Sequence, residues 1–132
     1  MMDDELDQLR AQRRAELEEQ LKSPSIPETP VHVDDASHFD ELVESFPVVL
    51  VDFHADWCGP CKMLEPIVER LASTSDAAIV KVDVDRHQQL AARHSVRGVP
   101  TMVLYVDGEP TEHLVGLRDE STLRGLIDQH AG

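Results

Sequence analysis

Trp57-Cys58-Gly59-Pro60-Cys61-Lys62 sets the only two cysteines of a 132-residue chain two residues apart. The stretch follows an apolar run, Val48-Val49-Leu50-Val51, and precedes a helix-like pattern. A dithiol at the start of a helix is suited to thiol–disulfide exchange. The helix N-terminus carries partial positive charge and unpaired backbone N–H groups, which favour thiolate over thiol. A thiolate attacks a disulfide through a mixed-disulfide intermediate, and a second thiol within reach resolves it. Two intervening residues bring both sulfurs to one end of the first helical turn. Pro60 lacks a backbone N–H that would be unpaired there anyway, and it stiffens the loop. Gly59 leaves the outer sulfur unshielded. Cys58 is therefore expected to be the exposed attacking thiol and Cys61 the buried resolving one. Structural zinc would need four Cys or His ligands. No third cysteine exists and the seven histidines form no spaced pair, so no metal site is expected.

Outward from the dithiol, apolar runs alternate with amphipathic ones. Val48 to Phe53 reads as a strand buried on both faces. Gly59 to about Ser73 reads as a helix bearing Met63, Leu64, Ile67, Val68 and Leu71, kinked at Pro66. Val31 to Val33 and Ile79 to Val84 are further strands. Ser37 to Ser45, with Phe39, Leu42 and Val43 on one face, and Arg86 to His94 are helices. Thr101 to Val106, a turn at Asp107-Gly108, and Thr111 to Val115 form a hairpin. Asp119 caps a last helix with Leu123, Leu126 and Ile127 inward. The order βαβαβαββα predicts an α/β fold, a central mixed sheet with helices on both faces. Residues 1–22 are a separate charged helix with a thin apolar stripe (Leu6, Leu9, Leu17, Leu21). Asp7–Arg10, Arg13–Glu16, Arg14–Glu18 and Glu18–Lys22 are spaced to pair on it. Residues 23–30, with prolines at 24, 27 and 30, read as an extended linker. Residues 31–132 form one domain of ordinary size.

Trp57-Cys58-Gly59-Pro60-Cys61-Lys62 resembles the signature of the thioredoxin family. Val51-Asp52-Phe53, Lys81-Val82-Asp83-Val84-Asp85, Arg97-Gly98-Val99-Pro100-Thr101, Asp107-Gly108 and Val115-Gly116 match the family in the same order. The resemblance covers roughly Val31 to Gly132 and implies the thioredoxin fold and a protein-disulfide reductase. Alternation along its strand points Asp52 inward, where burial raises a carboxylate's pKa. The family's residue there is the base that takes the proton from the resolving cysteine, here Cys61. Lys81 resembles the lysine that sits near that acid and limits its shift. Family members hold the bond before Pro100 cis, so that the Val99 backbone can pair with an extended substrate, with Gly98 and Gly116 leaving room for it. Trp57 offers an apolar rim to partners beside Gly59 and Pro60. His54 departs from the bulky aromatic usual in the family. A protonated His54 would favour the Cys58 thiolate, and a neutral packed imidazole would not.

Acidic residues outnumber basic ones 26 to 12, and lysine occurs only at 22, 62 and 81. In dilute salt such charge destabilises a compact state by self-repulsion. At molar salt the Debye length falls to about 3 Å and most of that cost vanishes. The composition resembles that of haloarchaeal proteins, and it disfavours nucleic-acid binding, which needs a basic surface. No signal peptide or membrane-length apolar run is visible, so a cytoplasmic monomer with no membrane partner is expected. By resemblance its partners are a thioredoxin reductase, flavin- and NADPH-dependent in most relatives, and disulfide-containing target proteins. No bound cofactor is implied beyond the Cys58–Cys61 disulfide, with electrons coming from the separate reductase. Two alternatives stand beside this. A disulfide oxidase or isomerase is disfavoured by Gly-Pro between the cysteines and by the cytosolic address. A binding module could dock through residues 1–22, which resemble the N-terminus of the archaeal DNA-binding family related to programmed-cell-death protein 5. With four basic and seven acidic residues, that segment is a poor DNA binder and reads as a solvated tail or partner-docking helix.

Overall fold

The apolar run at Val48 becomes a strand buried along almost its whole length because helices cover both of its faces. The structure, a computed structural model, describes residues 2–22 and 25–131, without the side chains of residues 2, 3 and 16–22. Ten elements follow one another. They are α1 (Met2–Lys22), β1 (Val31–His32), α2 (Ala36–Ser45), β2 (Val48–His54), α3 (Gly59–Thr74), β3 (Ala78–Asp83), α4 (Gln88–Arg93), β4 (Thr101–Val106), β5 (Glu109–Val115) and α5 (Glu120–Ala131). From β1 onward this is the expected βαβαβαββα order. The five strands form one mixed sheet in the order β1-β3-β2-β4-β5. β1, β3 and β2 run parallel, and β4 and β5 return antiparallel.

Side chains alternate across the sheet. On one face, Val49, Val51 and Phe53 pack with Phe39 and Val43 of α2, Leu90 of α4 and Tyr105. On the other, Val48 and Leu50 pack with Leu64, Val68 and Leu71 of α3 and Leu123 and Ile127 of α5. Each large apolar side chain so buried contributes on the order of 2 kcal/mol. Caps fix the helix starts. Asp35 accepts the His38 N–H at 2.8 Å, and Asp119 accepts that of Thr122 at 2.8 Å, which bears out the expected cap of α5. Asp107 and Gly108 both take positive φ, 52° and 82°, the hairpin turn that matches strand twist. Pro110 sits in β5, an edge strand where a missing donor is tolerated. Pro66 lies inside α3, which runs on through it to Thr74.

Met63 is a correction. The apolar pattern of α3 sets it beside Leu64, Ile67, Val68 and Leu71, but it is exposed. Cys61, Leu64, Val68 and Leu71 are the buried line of the helix, and Met63, one step before Leu64, falls about 100° off it. In α1, Leu6 and Leu9 are exposed. Asp7 and Arg10 make no ion pair within 4 Å among the described residues. The other three pairs expected on α1 rest on side chains that are not described, and residues 23 and 24 of the linker and Gly132 lie outside the described residues.

Candidate active site

The dithiol sits where β2 ends and α3 begins. Cys58 is the N-cap of α3 and its Sγ accepts the backbone N–H of Cys61 at 3.2 Å. Pro60 occupies the first turn, where its missing N–H is not needed. Cys58 and Cys61 are joined as a disulfide, with their Cα atoms 5.2 Å apart. Both are buried, 4% and 3% exposed, against Ala55, Val84 and Val99. The expected contrast between an exposed Cys58 and a buried Cys61 is therefore absent in this oxidised form, because the Cys58 sulfur turns inward to its partner and to the helix end. What separates the two is position. Cys58 is the cap, with an N–H aimed at its sulfur, and Cys61 lies within the helix. A Cβ on Gly59 would meet nothing within 4 Å, so the space beside the disulfide is open.

Asp52 lies in β2 on the same face as Val48 and Leu50, beneath α3. It is fully buried, and neither carboxylate oxygen has a hydrogen-bond partner among the described residues. Burial is the largest influence and pushes its pKa up to about 6; Lys81 pulls it down and Glu65 pushes it up. Lys81 stands directly across in the β2–β3 register and is itself buried. Its ion pair is not with Asp52. Nζ lies 3.8 Å from Glu65 Oε1 on α3.

His54, at the end of β2, is half-buried, with its ring edge-on to His32 at 6.5 Å. Burial and Lys81 hold its pKa below the usual imidazole value, against a smaller upward pull from Asp83. That favours the neutral ring, whereas help for a Cys58 thiolate would need the charged one. Trp57 is 72% exposed, and its Nε1 donates to Asp85 Oδ2 at 3.0 Å. The Val99–Pro100 bond is cis, and the Pro100 carbonyl accepts the Gly116 N–H at 2.8 Å. Gly116 has φ +93°, a backbone state that disfavours other residues. A Cβ on Gly98 would meet nothing within 4 Å.

The structure thus gathers Cys58, Cys61, Asp52, Lys81, Trp57, Gly59, Pro60, Val99, Pro100 and Gly116 around one end of the sheet. Several neighbours lie at the site beyond the residues expected there. Met63, Val115 and Leu117 are exposed and apolar; Met63 follows the dithiol, and the other two flank Gly116. Asp85 holds the Trp57 ring and Glu65 holds Lys81. Helical phase was the available signal for Met63 and Glu65: Glu65 is four residues after Cys61, on the same flank of α3.

A family model described as Thioredoxin matches residues 30–129. The thioredoxin of Staphylococcus haemolyticus is 45% identical over 96 residues, 71% of this chain and 91% of that protein. The thioredoxin of Chlamydia caviae is 42% identical over 102 residues, 76% of this chain and 99% of that one. Among solved structures, a mutant thioredoxin from Halobacterium salinarum is similar, with a TM-score of 0.80 and 50% identity over 83% of this chain and 96% of that one. Plasmodium falciparum thioredoxin is similar at a TM-score of 0.68 and 31% identity, covering 76% of this chain and 98% of that one.

Proposed function

This chain belongs to the thioredoxin family, and on that footing we propose how its own residues carry the reduction of protein disulfides. It is a thiol–disulfide oxidoreductase whose redox group is the Cys58–Cys61 pair. Partners in this family are disulfide-containing proteins and a reductase that restores the dithiol.

In the reduced protein the Cys58 thiolate attacks one sulfur of a target disulfide. A Cys58–target bond forms, the target S–S bond breaks, and the first target thiolate leaves and takes a proton. Asp52 accepts the proton of Cys61 as that sulfur attacks Cys58 Sγ. The Cys58–Cys61 bond forms and the second target sulfur leaves. Two electrons have then passed to the target, and the reductase returns two to the pair. The observation that carries the assignment of Cys58 is its place at the cap, with the Cys61 N–H aimed at its sulfur; such a donor at a helix N-terminus stabilises thiolate. The carboxylate of Asp52, starved of partners and raised to about 6, suits proton uptake near neutral pH. Lys81 moderates that basicity. Trp57, Gly59, Pro60, Val99, Pro100 and Gly116 form the surface on which the target's extended backbone lies, its cystine over the open space at Gly59. Burial and Lys81 hold His54 toward its neutral ring, which does not supply the positive charge that would favour the Cys58 thiolate.

We place the protein in the cytoplasm, working as a monomer at high salt, with residues 31–132 as the reductase domain and residues 1–22 as an appended helix on a 23–30 linker. No helix among the described residues is long and apolar enough to cross a membrane. The test is trapping. Cys61→Ser accumulates a mixed disulfide with a reducible protein substrate, and Cys58→Ser does not. The reverse pattern would overturn the assignment of the two sulfurs.

A further inference from the structure

One row across the sheet beneath α3 holds three titratable side chains: His32 on β1, Lys81 on β3 and Asp52 on β2. The Lys81 side chain is only 8% exposed. A buried ammonium needs a counter-charge, and its choice between Asp52 and Glu65 bears on the state of Asp52. Asp52, in the same row, has no partner for either oxygen among the described residues. Glu65, on α3 above the row and 53% exposed, has Oε1 at 3.8 Å from Nζ. The ammonium lies beside the more exposed acid, and the fully buried one has no partner among the described residues.

We propose that Glu65 is a positioning residue: its carboxylate draws the Lys81 ammonium toward α3 and the surface, and so keeps Asp52 unpaired and basic. The use of that basicity in catalysis rests on Asp52 being the proton acceptor for Cys61. Other charged groups surround Lys81: Glu28, Glu69 and His32 line one cleft with it, and Asp56 and Asp83 line a second, but among the described residues none of these carboxylates pairs with Nζ within 4 Å. α3 brings Glu65 together with the cysteines at its start, which carry no charge as a disulfide. α5 contributes the apolar Leu123 and Ile127, and β4 places Met102 across from Asp52. His54, two residues along β2, is held toward its neutral form by burial and by the same Lys81. Burial raises the proton affinity of Asp52 most, Lys81 lowers it and Glu65 raises it, in keeping with a lysine shared between two acids.

The experiment is a carbon-detected NMR titration of the Asp52 carboxyl in the oxidised full chain, where no thiol titrates. It compares wild type, Glu65→Gln, Lys81→Met and the double variant, alongside the pH profile of single-turnover disulfide reduction by each reduced protein. Glu65→Gln lowers the Asp52 midpoint below that of wild type, and in the Lys81→Met background the same change shifts it less. An unmoved midpoint, or an equal shift with and without Lys81, overturns the proposal. A lowered midpoint with an unmoved rate profile supports Glu65 as the residue that sets Asp52 and removes Asp52 as proton acceptor, so the two readings fail separately.

Discussion

Asp52 carries a carboxyl group with no hydrogen-bond partner among the described residues, under a helix that begins at a disulfide. Its folded pKa of about 6 stands above the ordinary 3.8. The folded chain therefore holds the proton more tightly than the unfolded one. The stability this gives is fully present below about pH 4 and is lost as pH rises through about 6, which at neutral pH amounts to about 3 kcal/mol. Asp52→Asn has no charge to bury. Urea denaturation of the oxidised protein should find its advantage over wild type growing by about that amount between acid and neutral pH. A pH-independent difference would contradict the burial account. The same variant should slow target reduction at the resolving step, seen as mixed disulfide accumulating with a protein substrate. Alternation along Val48 to Phe53 made the inward aim of Asp52 legible in the sequence. The Glu65–Lys81 pair was not legible, since two residues sixteen positions apart meet only when α3 lies over β3. The burial of Cys58 was also hidden: an open Gly59 beside it suggested exposure, but the sulfur turns to its partner.

At the scale of elements, α3 does two jobs with one sequence. Its first turn holds the disulfide, and its later turns bury Leu64, Val68 and Leu71 against β2 and β3. Leu64→Ala should cost about 2–5 kcal/mol in equilibrium unfolding, a loss of transfer energy plus a cavity. Asp119→Ala at the α5 cap should cost less than that, since Asp119 accepts a single N–H from the Thr122 backbone at the surface. A Leu64→Ala cost no larger than the cap's would mean that α3 is poorly packed. Element order and type were readable because β2 and β3 are long apolar runs and Asp107-Gly108 is a strong turn signal. Ends shifted by one or two residues. β3 begins at Ala78 rather than Ile79, and β5 begins at Glu109 because the edge strand accepts Pro110. The cis bond before Pro100 had no local signal, and only the family resemblance pointed to it.

At the scale of the whole molecule, a formal charge of −14 on 132 residues is a standing repulsion that salt relieves. The melting temperature should rise from about 0.1 M to about 1 M KCl as the Debye length falls from about 10 Å to about 3 Å. A flat or falling trend would argue against adaptation to high salt. Deleting residues 1–22 should leave that melting temperature and the rate of disulfide reduction unchanged, because the described apolar side chains of α1 remain exposed. A lost rate with an intact fold would make α1 part of partner docking. The charge balance was plain in the composition, whereas the purpose of α1 was written neither in its thin apolar stripe nor in its exposed face. The most direct test of the account is the equilibrium redox titration of the Cys58–Cys61 pair, followed by Trp57 fluorescence in multimolar KCl. The account predicts a potential below the roughly −220 to −260 mV of a cytosolic glutathione pool, as a donor of electrons to protein disulfides requires. A potential above that range would make the protein an oxidase or isomerase and contradict the reductase reading, while leaving the fold in place.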